Sequence, residues 1–113
     1  MSSLADKLRL ARETRVEVDG HHFTIRRPTE AERMEWMGKD GITPLDLVRR
    51  CVVAWDLLET DILAGGAPVP ATFDAELFAE YINDKLDYWL PLSNAIQDAI
   101  SARIGALDDA KKN

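Results

Sequence analysis

The sequence predicts a single α+β domain, residues 1–113, mainly helical, with an N-terminal β-hairpin over about 13–26 and three to five helices. Three observations predict it. A chain of 113 residues has room for one domain. At that size it buries roughly two-thirds of its unfolded surface, enough to fold without a metal or disulfide staple. Asp19-Gly20, set between two alternating segments, is a strong hairpin signal. Beyond Pro28, capping residues repeatedly precede apolar side chains at helical spacing.

The elements follow in order. Residues 1–12 read as an arm or short helix, with Ser3 and Asp6 as a capping box and Leu4, Leu8 and Ala11 at helical spacing. The turn at Asp19-Gly20 fixes the hairpin register. Val18 faces His21, Val16 faces Phe23 and Thr14 faces Ile25 on one largely apolar side. Glu17 with His22, Arg15 with Thr24 and Glu13 with Arg26 form the other side. A two-stranded hairpin is marginal alone, so its apolar face needs helices or its edges need another strand. Thr29 and Glu32 box a helix over about 30–38, ending before the Gly38–Gly41 loop. Thr43 caps the next helix, with Pro44 at its first position, Asp46 completing a box and Ile42 with Leu47 as a staple. Leu45, Val48, Val52 and Trp55 carry that helix to about Leu58, and Leu47, Cys51, Ala54 and Leu58 widen the stripe. Residues 64–72 are a Gly- and Pro-broken loop. Asp74 caps a helix over about 75–86, with Phe73 and Phe78 as its staple. A break or a kink at Asp87–Pro91 precedes a last helix over about 91–107, and 108–113 read as a frayed tail.

Composition narrows the function. Hydrophobic residues are 46% and charged residues 30%, an ordinary globular balance. No apolar run spans a bilayer, and the first residues lack the basic and apolar regions of a signal peptide. One cysteine, Cys51, forms no internal disulfide and suits a reducing compartment. The expectation is a cytoplasmic protein with no membrane partner. Residues 51–90 hold eight acidic side chains against Lys85 alone. Phosphate binding requires clustered Lys and Arg, so no nucleic acid is expected. Helices 30–38 and 43–58 mimic a helix-turn-helix, but the loop is long and the acidity opposes DNA. An acidic face suits solvent or a basic protein partner.

No catalytic, cofactor or metal site is expected. His21 and His22 point to opposite faces of a strand and cannot converge on one ion. Cys51 lies mid-helix among Val and Ala, without a helix N-terminus to activate it. Ser93 and Ser101 lack a nucleophile elbow. Asp56, Glu59 and Asp61 do not follow a calcium-loop pattern and read as a solvated helix end. Trp55 belongs to the buried stripe. Trp36 and Trp89 sit near element ends, where an indole serves core or interface equally.

The order of elements, with Phe23–Thr29, Val52–Asp56, Gly65–Pro70 and Phe73–Phe78, resembles the small tail assembly chaperones of long-tailed bacteriophages and prophages over about residues 16–100. The resemblance implies a non-enzymatic protein, active in the cytoplasm of the bacterial host. It would bind and solubilise the tape-measure protein and help recruit tail-tube subunits. A long helical protein exposes apolar stripes that aggregate unless covered. The candidate partner-binding residues, chosen on local grounds, are Trp36, Phe73, Phe78, Tyr81 and Trp89. Lys111-Lys112-Asn113 can be encoded by the slippery sequence A AAA AAC, used in such phages to make a longer product by frameshift. A solubilising lysine tail explains the same residues, and codon choice decides. The alternatives are a virion connector or tail-terminator component, and a small protein-interaction domain. The hairpin edge and exposed aromatics also allow a homo-oligomer.

Overall fold

The computed structural model describes residues 3–36, 38 and 41–112, and its hairpin has the register that the turn dictates. Strands β1 (Glu13–Val18) and β2 (His21–Arg26) pair antiparallel, with Val18 opposite His21, Val16 opposite Phe23 and Thr14 opposite Ile25. Asp19 and Gly20 both have positive φ, 55° and 81°, as a type I′ turn requires. Val18, Phe23 and Ile25 are buried, so the apolar face is the core face. Helices α1 (Leu4–Ala11), α2 (Glu30–Trp36), α3 (Pro44–Cys51), α4 (Glu59–Ile62), α5 (Ala75–Asn83) and α6 (Leu86–Lys112) complete the fold with one more strand. α4, a single turn, was not foreseen.

That strand corrects the sequence reading. α3 stops at Cys51, and Val52–Trp55 is β3, paired antiparallel with β2 in a sheet of order β1-β2-β3. The expected helix to Leu58 does not form there. Adjacent β-branched residues, Val52 and Val53, favour extended backbone. The exposed edge of β2 also gains a partner for its backbone groups. The misleading signal has a specific origin. Ile25 pairs with Val52 and Thr24 with Ala54, so Val53 is an extra residue in a β-bulge. The bulge lets Val52 and Trp55, three apart, both lie on the core side. A three-residue spacing is also what a helix gives.

The N-caps stand where expected, but Asp46 does not complete the box expected with Thr43. Ser3 and Asp6 form a capping box, as do Thr29 and Glu32. Thr43 Oγ1 accepts the Asp46 N–H at 3.1 Å, while the Asp46 carboxylate pairs with Arg49. Asp74 Oδ1 accepts the Leu77 N–H at 2.9 Å. The Gly38–Gly41 loop is described only at its ends, since Lys39 and Asp40 lie outside the described residues.

The second correction concerns the C-terminal helices. The chain breaks at Asp84–Lys85, and of the break or kink expected at Asp87–Pro91 the break does not form: Pro91 sits inside α6. Tyr88, Leu92 and Ile96 explain this. They are buried one turn apart and form one stripe that runs across the proline. That burial outweighs the one backbone hydrogen bond that Pro91 removes. α6 also continues through 108–112, the stretch expected to fray. It packs against α3, α5 and the sheet, around Phe23, Ile25, Val48, Leu57, Phe78, Ile82, Leu92 and Ile96.

Candidate interaction surface

The aromatic candidates separate into core and surface. Trp55 projects from β3 into a cluster with Phe73, Phe78 and Tyr81, at ring-centroid distances of 5.1, 6.1 and 5.8 Å. Phe73 and Phe78 lie 5.6 Å apart and form the staple at the start of α5. Phe78 is 1% exposed and Tyr81 7%. Both are core side chains, which corrects their placement among partner-binding candidates: the α5 stripe turns inward onto Trp55. Phe73 is half-buried against the same cluster. Tyr88 joins it beneath the hairpin, 6.0 Å from Phe23 in an edge arrangement, and its hydroxyl donates to Asp19 Oδ2 at 2.8 Å. Burial, and then Asp19, pushes the Tyr88 hydroxyl above its usual pKa.

The polar residues near the hairpin have structural work. Asp56 Oδ1 accepts the His22 backbone N–H at 2.9 Å, and Asp56 Oδ2 lies 2.9 Å from His22 Nδ1. The Asp56 N–H donates to the His22 carbonyl at 3.0 Å. These bonds lower the Asp56 pKa, the backbone bond first, and extend the β2–β3 pairing past Trp55. Asp61 Oδ2 accepts the Leu58 N–H at 2.8 Å. The acidic cluster is therefore divided among separate tasks. Cys51 is fully buried, and burial pushes its thiol up to about 11. Among the described residues, no three potential metal ligands converge, and no helix is long and apolar enough to cross a membrane.

Two of the grooves among the described residues each hold one tryptophan from the sequence reading. The first lies between α2 and α6. Pro28, Trp36, Ile42, Leu47, Ile100 and Ile104 line it, with a volume of about 420 Å³. Trp36 is held between two cations, with Arg50 at 5.0 Å and Arg26 at 6.0 Å from its ring. Arg26 in turn forms a two-pronged ion pair with Glu32, at 2.7 and 2.9 Å. That bond holds Glu32 down to about 2 and raises Arg26. Arg33 also lines the groove, and its buried Nε has no hydrogen-bond partner among the described residues. Ile104 of its lining stands partly exposed, and Gln97 and Ser101 add polar groups.

The second groove lies between the start of α3 and the start of α6. Pro44, Leu45, Leu86, Trp89, Leu90 and Pro91 form its apolar lining, with Thr43 and Asp87 as its polar members, around about 860 Å³. The Trp89 indole N–H donates to the Ile82 carbonyl at 2.6 Å, which fixes the ring. The sequence reading named Trp89 but missed Leu86 and Leu90. Their signal was their position: one turn apart and off the buried Tyr88–Leu92–Ile96 stripe.

Compared with family models, curated proteins and solved structures, the chain matches none significantly.

Proposed function

We propose that the chain is a non-enzymatic protein-interaction module and, more finely, a tail assembly chaperone. It binds the tape-measure protein of a long-tailed phage or prophage in the host cytoplasm, keeps it soluble and helps recruit tail-tube subunits. The observation that carries the binding role is the α2–α6 groove. It is largely apolar, lined by Trp36, Ile42, Leu47, Ile100 and exposed Ile104, and contains the buried Arg33 Nε, which has no hydrogen-bond partner among the described residues. Buried donors without acceptors are rare in finished folds. A partner helix laid in the groove covers the apolar side chains and presents an acceptor to Arg33. The resemblance of Phe23–Thr29, Val52–Asp56, Gly65–Pro70 and Phe73–Phe78 to segments of such chaperones is what the finer reading rests on.

Co-expression tests it. The chain should raise the soluble fraction of the long tape-measure protein encoded in the same genome, and the two should co-purify. The Ile104→Asp variant, at an exposed position of the groove, should fold and lose that effect. A tape-measure protein that is soluble alone and never co-purifies refutes the chaperone role. Recovery of the chain in purified particles favours a connector or terminator instead.

A further inference from the structure

Helix α1 has no buried residue. Leu4, Leu8 and Leu10 are all mostly exposed, and Leu4 and Leu8 stand one turn apart. Eight residues are too few for a helix to be stable in water without tertiary burial. Its charged side chains are Lys7 and Arg9, with Arg12 at its C-cap, against Asp6, which pairs with Arg9. α1 is thus a short, net-basic amphipathic helix with an uncovered leucine row.

The α3–α6 groove has the opposite character. Leu86 and Leu90 are 67% and 62% exposed, one turn apart, beside a Trp89 ring already fixed by its indole hydrogen bond. Asp87 lines it, and Asp84 caps α5 two residues before Leu86. Lys85, the one cation in residues 51–90, is turned over the Tyr81 and Tyr88 rings at 5.5 Å from each. Pro91 removes the amide that would have bonded the Asp87 carbonyl. The rim therefore offers acceptors and negative charge around an apolar floor. The groove calls for a helix with leucines at one-turn spacing and basic neighbours, and this chain supplies one.

We propose that α1 of a second copy docks in the α3–α6 groove, with Leu4 and Leu8 against Leu86, Trp89 and Leu90, and with Lys7 and Arg12 toward Asp84 and Asp87. The contact joins two different surfaces, so it either closes reciprocally between two copies or passes from copy to copy. It does not depend on the chaperone reading, and it uses a different groove.

The test is sedimentation velocity of the full chain over a range of concentrations. Wild type should associate as concentration rises, and less so at high salt. Leu8→Asp and Leu90→Asp change exposed side chains, so each should keep the wild-type circular dichroism. Each should weaken association by about tenfold or more. An equimolar mixture of the two variants should form a one-to-one complex, because one variant keeps its groove and the other keeps its α1. A chain that stays monomeric overturns the proposal, as does association that neither variant weakens or a mixture that forms no complex. Loss of tape-measure binding in Leu90→Asp, with wild type monomeric throughout, overturns it too and assigns the groove to that partner.

Discussion

Glu32→Gln tests how the sheet is fastened to α2. The Glu32 carboxylate accepts two bonds from Arg26, at 2.7 and 2.9 Å, and one from the Thr29 N–H at 3.0 Å. Its pKa falls from 4.5 to about 2, with the Arg26 hydrogen bond as the largest cause. Taken whole, that difference corresponds to about 3 kcal/mol of stability at neutral pH. About a quarter of each side chain stays in contact with solvent, 26% for Arg26 and 27% for Glu32. Water screening then reduces the value to about 1–2 kcal/mol. Glutamine keeps the box to Thr29, so the loss isolates the charge. Because the folded pKa is depressed, the contribution is present above about pH 4.5 and disappears as pH falls through about 2. Urea unfolding followed by tryptophan fluorescence should show the variant's midpoint lower by about 1 M at neutral pH. The gap should close progressively in acid. A gap that is absent at neutral pH, or unchanged at about pH 2.5, refutes the reasoning.

Three further expectations follow from the same geometry. Tyr88→Phe removes the bond to Asp19 and should cost about 1 kcal/mol, the low side for a charged partner because Asp19 regains water. Since the Tyr88 pKa is raised, wild-type stability should also decline as pH rises above 10, and more steeply than in the phenylalanine variant, which keeps only the shares of Tyr81 and Cys51. Phe78→Ala should cost about 3–5 kcal/mol in denaturant unfolding, as a core cavity does, and a cost under about 1 kcal/mol would return Phe78 to the surface. Cys51 should resist thiol reagents in the native protein and react completely once denaturant is added; prompt native labelling would contradict its burial.

What was legible in the sequence was local. Asp19-Gly20 fixed six strand pairs because a two-residue turn leaves no freedom of register. Ser3, Thr29, Thr43 and Asp74 were readable as caps because a cap needs only the following three residues. β3 was misread because one bulged residue, Val53, gave a strand the spacing of a helix. The helix break was misplaced because Pro91 speaks locally, whereas Tyr88, Leu92 and Ile96 act through burial. Asp56 was assigned to solvent because its partner, His22, lies 34 residues away. Of the binding candidates, Trp36 and Trp89 do line grooves, while Phe78 and Tyr81 face Trp55. No periodicity in α5 could report that its aromatic face would meet a tryptophan from a strand.

The join between α3 and β3 has a consequence for how this protein opens. Val52 belongs to both elements. Its N–H closes the last turn of α3 on the Val48 carbonyl, and it pairs with Ile25 in the sheet. No loop residue separates them to take up slack. Unwinding the end of α3 therefore strips a rung from the β2–β3 ladder, and peeling β3 from the edge frees the last helical turn. The two elements form one cooperative unit, although one is helix and the other strand. In native-state amide exchange, their amides should respond to denaturant with a common slope.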